Sequence, residues 1–284
     1  MVRIVADSTC DLSPELVKRF NISILPLHVI LGDKEYKDGV DITLDELFAW
    51  SDENKTTPKT SAPSMEDAVD LFKPIIEAGD EIIAFSISFS MSTSGNVMRI
   101  AAEELEAEDK VTVVDSKNLS TGIGLLVCKA AEMANEGMSR SDIVAKLDEL
   151  IPKVRASFVV DTLTYLHRGG RCSGAARFAG TALKLHPRIE VVDGAMQVSK
   201  KYRGKYSVVV LNYVKDMEEA MMKAYPTRVF ITFTVVAKEI EDSVREYLES
   251  LNKFDEICIT YAGGTVASHC GYGTLGVLFI DDSK

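Results

Sequence analysis

Hydroxyl side chains cluster in the loop that follows an apolar segment at residues 82–85. Residues 86–94 contain five serines and one threonine, and Gly95 follows them. The apolar spacing of residues 97–105 then predicts a helix. Such a loop brings hydroxyl groups together with the free N–H groups of a first helical turn. The arrangement can hold a carboxylate or a phosphate without a metal, although a simpler interpretation is that Ser94 only caps the helix.

The first half of the chain predicts strands and helices in alternation. Strands are expected at residues 2–5, 22–31 with a break at Pro26, 82–85 and 110–116, and a loop or hairpin at 34–41. Helices are expected from Ser13, Thr43 and Ser64, over 97–106 and 122–137, and from a cap at Ser141 to residue 154. This alternation predicts a mainly parallel sheet covered on both faces. Ligands of such sheets bind beyond the carboxyl ends of the strands, where residues 7–8, 93–94 and 115–116 would meet.

The second half of the chain predicts a separate α/β unit. Strands are expected at residues 157–161, 188–192, 196–199, 207–211, 229–235, 256–261 and 276–280, and helices near 163–168, 216–224 and 238–251. Short turns join the early strands, so the sheet should be mixed. We therefore expect two domains, residues 1–157 and residues 158–284, with a ligand between them.

Composition restricts the possible classes of function. The 284 residues are 46% hydrophobic and 26% charged, which is typical of a globular protein with a sizeable core. A net charge of −11 argues against nucleic-acid binding and against more than transient contact with a membrane. No apolar run reaches the roughly 20 residues of a transmembrane helix, and no signal peptide is expected. Five scattered cysteines predict reduced thiols in a cytoplasmic protein, without a zinc site.

One segment has the opposite charge. Residues 168–205 contain nine Lys or Arg residues and two acids, a net charge of +7. A basic segment in an acidic protein is typical of a site for an anionic ligand or an acidic partner. A solvated surface is an equally good interpretation.

None of the common catalytic and cofactor-binding motifs occurs in the sequence context that it requires. Residues 271–276 match G-x-G-x-x-G, but a strand-like segment and the chain end follow where the motif requires a helix and a later acidic residue, which argues against a nicotinamide cofactor. A phosphate-binding loop, a nucleophile elbow and a His-rich metal cluster are also absent, so no cofactor or metal is expected. His269 lies in a glycine-rich stretch that we interpret as a loop. A protonated imidazole there could pair with a carboxylate, although a structural histidine is the default.

Five segments together resemble the DegV family of bacterial proteins: residues 7–12, residues 60–64, Ser94-Gly95 with the strand end at 115–116, residues 163–171 and residues 268–277. They cover nearly the whole chain in the family order. The resemblance implies a two-domain α/β protein that encloses a long-chain fatty acid, such as palmitate, between its domains. It also implies a lipid-binding, non-catalytic subunit that presents the acyl carboxylate to a separate ATP-dependent fatty-acid kinase subunit.

The resemblance assigns roles to particular positions. Thr60 and Ser94 would hydrogen-bond the carboxylate, with His269 near the same head group. Ser61 and Gly95, their neighbours in the two motifs, would be secondary or partner-facing residues.

Two arginines match the family pattern, and the sequence differs from that pattern in two places. Arg171 and Arg203 match family arginines and would face the acyl phosphate or the kinase. The chain has Asn96-Val97 where the family usually has Thr-Tyr, and Tyr272 where it has Pro. These departures affect the expected chain-length preference, and the loop at 86–93 would line the acyl tail.

Two other functions compete with lipid binding. Ser94 and His269 could form the nucleophile and base of a small-molecule hydrolase, although no motif positions the serine and no acidic residue orients the histidine. A regulatory protein whose ligand only sets its shape is the other alternative.

Overall fold

The protein is described here by a computed structural model that covers residues 1–173 and 185–283. Its strands are β1 (Val2–Asp7), β2 (Ser23–Leu25), β3 (His28–Leu31), β4 (Lys34–Lys37), β5 (Lys59–Ser61), β6 (Glu81–Ser86), β7 (Val111–Asp115), β8 (Val154–Val159), β9 (Cys172–Ser173), β10 (Leu185–Val192), β11 (Ala195–Arg203), β12 (Arg228–Phe233), β13 (Glu256–Tyr261) and β14 (Leu275–Ile280). Its helices are α1 (Pro14–Arg19), α2 (Leu44–Asn54), α3 (Met65–Glu77), α4 (Ser94–Glu104), α5 (Thr121–Asn135), α6 (Arg140–Leu150), α7 (Thr164–Gly169), α8 (Tyr206–Lys215), α9 (Glu218–Met222), α10 (Lys238–Ser250) and α11 (Gly264–Cys270). Two positions of the predicted basic segment, Arg177 and Lys184, lie outside the described residues.

Three sheets organise the described chain. The first has the order β2-β1-β6-β7 and is entirely parallel. The second has the order β13-β12-β14-β8-β10-β11-β9 and mixes parallel with antiparallel pairs. A small antiparallel sheet, β4-β3-β5, accompanies them. The predicted α/β fold, with a parallel N-terminal and a mixed C-terminal sheet, is confirmed. The expected boundary near residue 157 falls inside β8, and the division into two domains stays a prediction.

Helix α5 contacts both large sheets. It packs on β1 and β6 of the first sheet and on β8, β12 and β14 of the second. Ile123, Leu126 and Val127 on this helix are fully buried. A Cβ atom on Gly124 would lie only 2.8 Å from Leu12 Cδ2, so glycine permits the close approach of this helix to the loop after β1. The two halves of the chain therefore share one continuous apolar core.

Helix starts follow the local sequence signals. Helix α3 spans the predicted residues 65–77 because the Ser64 side chain accepts a hydrogen bond from the Asp67 N–H. Helix α2 begins with the predicted capping box between Thr43 and Glu46. None of the helices in the two described ranges is long and apolar enough to cross a membrane.

Three local predictions were wrong. Residues 207–211 form part of α8 and not a strand, because Val209, Val210 and Tyr213 are buried at helical spacing although consecutive valines favour strands. Helix α6 is capped by Ser139, two residues earlier than predicted. The break predicted at Pro26 is confirmed, but residues 22–31 do not form one strand, because β2 and β3 on either side of the break belong to different sheets.

Candidate functional site

The carboxyl ends of the parallel strands meet, as predicted, at the edge where β1 and β6 end. Asp7, the last residue of β1, is completely buried there. Its carboxylate accepts hydrogen bonds from the Ile87 N–H at 2.9 Å and from the Ser94 hydroxyl at 2.8 Å. Burial raises the pKa of Asp7, while hydrogen bonds from Thr9, Ile87 and Ser94 act to lower it. Asp7 thus fixes the start of the hydroxyl-rich loop and the first residue of α4.

Ser94 faces this carboxylate and not an open cavity. It is fully buried in the first turn of α4, and the helix cap is Thr93, which makes no side-chain capping bond. The interpretation of Ser94 as the helix cap was therefore wrong. Its hydroxyl hydrogen is used by Asp7, 87 residues earlier in the chain, a contact that no local pattern indicates.

An aromatic ring covers the first turn of α4. A Cβ atom on Gly95 would lie 2.1 Å from the Phe89 ring, so the ring rests directly on the glycine. The Arg99 guanidinium lies 4.5 Å from the centre of the same ring. The helix start is consequently shielded by Phe89, which itself lines the neighbouring cavity.

Thr60 and His269 meet beside that cavity. Thr60 lies in β5, and its hydroxyl oxygen is 2.8 Å from Nε2 of His269. His269 lies in the last turn of α11, where we had expected a loop. No described residue provides a hydrogen-bond partner for its Nδ1 atom, which packs against Gly169. The resemblance had placed these two residues at one head group, and the structure brings them together.

The imidazole of His269 is neutral at physiological pH. Burial, with a smaller contribution from the positive charge of Arg171, lowers the pKa of His269 to about 4. We assign the proton to Nε2, because this tautomer leaves a bare lone pair at Nδ1 and not a buried N–H without an acceptor. Nε2 then donates to Thr60, whose own hydroxyl hydrogen is free to point into the cavity. The described hydrogen-bond partner of His269 is the Thr60 hydroxyl and not a carboxylate, so the charged pair that the sequence suggested is not observed among the described residues.

Two further aspartates hold α11 in place. Asp38 accepts hydrogen bonds from the N–H groups of Gly264 and Thr265, at 2.6 Å and 3.1 Å. Asp11 accepts one from the N–H of Gly263 at 2.8 Å, and burial raises its pKa well above the ordinary value. These carboxylates accept hydrogen bonds from the N–H groups at the start of the helix that carries His269, so they fix the position of this helix.

The cavity in front of these residues has a volume of 560 Å³. Its polar residues include Thr60, Ser61, Arg171, Thr265 and His269, together with Ser90, Ser92 and Thr93 of the loop. Its apolar residues are Leu27, Ala62, Ile87, Phe89, Met91, Leu119, Met196, Val266 and Cys270. A volume of this size is typical of a small-molecule site, and the lining combines one polar region with an apolar remainder.

A second, very small cavity continues the apolar side. It shares Leu119, Val266 and Cys270 with the main cavity and extends towards Phe158 and Leu278 of the second sheet. Its volume is only 20 Å³. The three shared side chains therefore form a partition between the main cavity and the core.

Three of the predicted site residues do not line the main cavity. Arg203 ends β11 opposite Leu185, is exposed and does not line the 560 Å³ cavity. Ser94 and Gly95 are likewise not part of its described lining. A larger groove of 770 Å³ runs along β7, β8 and β10 and contains none of the predicted site residues. The smaller cavity is the candidate site, because it combines the hydroxyl groups, the imidazole and an apolar wall.

Sequence reasoning missed several residues of this site. Thr265 was overlooked because α11 was interpreted as a loop, although its spacing of four from His269 would place both on one helical face. Asp38 was assigned to a hairpin and its contact with α11 lies 226 residues away in sequence. Met196 lies on β11, inside the basic segment that we interpreted as a possible anion site, but no sequence signal marked this apolar side chain as part of a cavity lining.

The chain is similar to known proteins over nearly its whole length. A family model described as "Uncharacterised protein, DegV family" matches residues 1–282. A DegV domain-containing protein of Clostridium acetobutylicum is 36% identical over 283 residues, which cover 99% of this chain and 98% of the relative. A solved structure described as fatty acid binding of a DegV family protein from Thermus thermophilus is 30% identical, with a TM-score of 0.90 over 99% of both chains. A fatty-acid (stearic acid)-binding protein from Eubacterium ventriosum is 32% identical, with a TM-score of 0.86 over 99% of both chains.

Proposed function

This chain belongs to the DegV family, and we propose that it binds a long-chain fatty acid, such as palmitate, in the 560 Å³ cavity. The observation that carries the proposal is the cavity itself, in which Thr60, His269 and Arg171 form a polar region beside an apolar wall. The similar structures from Thermus thermophilus and Eubacterium ventriosum are described as fatty-acid-binding, which supports the same ligand class here. The cavity would lie between the two domains that we propose near residue 157.

The head group would be oriented by polar contacts. The Thr60 hydroxyl, held by neutral His269, would donate to a carboxylate oxygen, and the exposed Arg171 would supply positive charge nearby. A hydrogen bond to a charged group contributes about 1.5–3 kcal/mol before the cost of desolvation. Ser94 would act indirectly, since its bond to Asp7 holds the loop at 86–93 beside the ligand.

The acyl tail would dominate the affinity. Burial of a methylene group contributes about 0.8 kcal/mol, so a dozen methylenes would contribute roughly 10 kcal/mol. The apolar wall from Leu27 to Met196 provides the surface for this burial, and the small cavity behind Leu119 marks the direction in which a longer tail could extend. A short carboxylate that makes only the polar contacts should bind poorly.

We propose that the protein presents the bound fatty acid to another protein and does not itself catalyse a reaction. The carboxylate would be offered to a separate ATP-dependent fatty-acid kinase subunit, with Arg171 beside the acyl phosphate and the exposed Arg203 on the face that meets the kinase. The proposal requires that the purified protein alone forms no acyl phosphate from ATP and palmitate, and that the product appears when a bacterial fatty-acid kinase subunit is added.

The hydrolase alternative has less support. Ser94 Oγ donates to Asp7, and the partner of His269 is Thr60, so the described residues contain no Ser94–His269 pair that could generate a nucleophile. Hydrolysis of a short-chain ester by the pure protein, lost in Ser94→Ala, would favour that alternative.

Mass spectrometry of the purified protein tests the ligand class. An organic extract should contain a near-stoichiometric long-chain fatty acid, of about 14–18 carbons, because burial of a long tail supplies most of the binding free energy. Delipidated protein should bind palmitate and not acetate. Equal binding of acetate and palmitate would refute the proposal, because the apolar wall would then contribute nothing.

A further inference from the structure

The partition between the main cavity and the small cavity behind it consists of three side chains. Leu119, Val266 and Cys270 line both spaces, and the two linings share no other described residue. All three residues are buried, and the most exposed of them, Val266, is only 8% exposed. Each side chain therefore borders the main cavity on one side and the apolar core on the other.

Helix α11 carries two of these side chains. Val266 and Cys270 are four residues apart, so their side chains lie on the same helical face. His269, which contacts Thr60, precedes Cys270 directly on the same helix. Leu119 belongs to the segment between β7 and α5 and completes the partition. An acyl tail that runs from the polar region towards the core must therefore pass between Leu119 and α11.

Small residues keep a space open behind the partition. The lining of the small cavity includes Ala156, Ala262, Gly276, Phe158 and Leu278. A Cβ atom on Gly276 would lie 3.1 Å from Leu278 Cδ1, so a larger residue at this position would crowd the small cavity. The remaining 20 Å³ hold roughly one water-sized group. Because a void in a close-packed core forfeits contacts, an apolar group that enters from the main cavity would gain them.

We propose that Leu119, Val266 and Cys270 determine the longest acyl tail that the protein binds well. This inference rests on the proposed function, and it assigns selectivity for chain length to positions to which the family resemblance gave no role. A tail that reaches the partition is buried further only if it displaces these side chains from their packed positions, which costs free energy. Affinity should therefore rise about fourfold with each methylene group up to a limiting chain length, and should stop rising beyond it.

Binding of saturated fatty acids of about 12 to 20 carbons, measured by displacement of a fluorescent fatty acid, tests the partition. Leu119→Ala would join the two cavities and vacate the space of roughly two to three methylene groups, so the limiting length should increase by about two to three carbons. Val266→Ala removes a smaller group and should increase the limiting length by about one to two carbons. This milder substitution provides the same test if Leu119→Ala does not fold.

Leu27→Ala is the matched control. It is the same truncation in a residue that lines the main cavity but does not border the small one. This variant should bind acids of every length more weakly than the wild type, with the limiting length unchanged.

Three results would contradict the proposal in different ways. An unchanged limiting length in both Leu119→Ala and Val266→Ala would overturn the role of the partition, as would an equal increase in Leu27→Ala. A wild-type affinity that rises with every methylene group up to the longest acid would also overturn it, because nothing would then limit the tail. A wild-type protein that binds none of these acids would instead refute the proposed function, and the role of the partition with it.

Discussion

Replacement of His269 tests whether the imidazole acts as a neutral donor or as a charge. We expect His269→Gln to retain most of the affinity for palmitate, because a side-chain amide can also donate to the Thr60 hydroxyl. His269→Leu cannot donate and should bind palmitate about tenfold more weakly, the effect of one lost hydrogen bond of about 1–1.5 kcal/mol.

The charge state follows from two opposing free energies. With a pKa of about 4, protonation of His269 at pH 7 costs about 4 kcal/mol. The Thr60 hydroxyl lies 2.8 Å from Nε2, and a carboxylate beyond it would be about 5.5 Å from the imidazole. Attraction at this distance is about 3 kcal/mol at an effective dielectric constant of 20. The pKa of about 4 already includes the opposing positive charge of Arg171. The cost of about 4 kcal/mol exceeds the attraction of about 3 kcal/mol, so we expect the neutral form to predominate in the complex at pH 7.

The pH dependence of binding measures this balance. Displacement of a fluorescent fatty acid by palmitate should give the same dissociation constant at every pH between 7 and 8.5, in the wild type and in His269→Gln. Because the ligand would raise the pKa of His269, wild-type affinity should increase only as the pH falls well below 7. A tenfold loss of wild-type affinity per pH unit between pH 7 and 8.5, absent from His269→Gln, would refute the neutral-donor argument.

Two further perturbations follow from the structure. In Gly169→Ala, the new Cβ atom would lie 2.3 Å from Nδ1 of His269, so the imidazole ring must move. Titration with palmitate should then show an affinity about tenfold lower than that of the wild type. An unchanged affinity would mean that binding does not need this position of the ring. Burial acts to raise the pKa of Asp67, but hydrogen bonds led by that from Lys37 hold it at about 2, below the ordinary value of 3.8. The ionised Asp67 therefore stabilises the fold above about pH 4, and this stabilisation is lost as the pH falls through about 2. Denaturant titrations of the wild type and Asp67→Asn should show that the difference between their unfolding free energies shrinks over that pH range.

Local signals in the sequence predicted most of the fold. Ser64 and Thr43 start helices where the capping patterns place them, because caps depend on residues only three positions apart. The parallel sheet followed from the alternation of strands and helices. Helix α8 was missed because Val208, Val209 and Val210 favour a strand locally, while burial against the second sheet and α10 decides for a helix.

The site was predictable only as far as it depends on the backbone or on family resemblance. The meeting of residues 7 and 94 at one sheet edge follows from parallel topology. The direction of the Ser94 hydroxyl does not, since it depends on the carboxylate of Asp7 across two strands. The contact of Thr60 with His269 joins residues 209 positions apart, and resemblance alone suggested it.

The opening motif at residues 7–12 then has a structural explanation. The Asp7 carboxylate accepts hydrogen bonds from the Ser94 hydroxyl and the Ile87 N–H. The Asp11 carboxylate accepts hydrogen bonds from the Gly263 N–H and the Ser120 hydroxyl. Ser8 donates to Asp38, which in turn holds the first turn of α11. None of these hydrogen bonds involves Thr60 or His269, yet they connect the loop, α5 and α11 that surround the cavity. Ligand affinity in this fold should depend on buried carboxylates that never contact the ligand, because they determine where the hydroxyl and imidazole groups stand before it arrives.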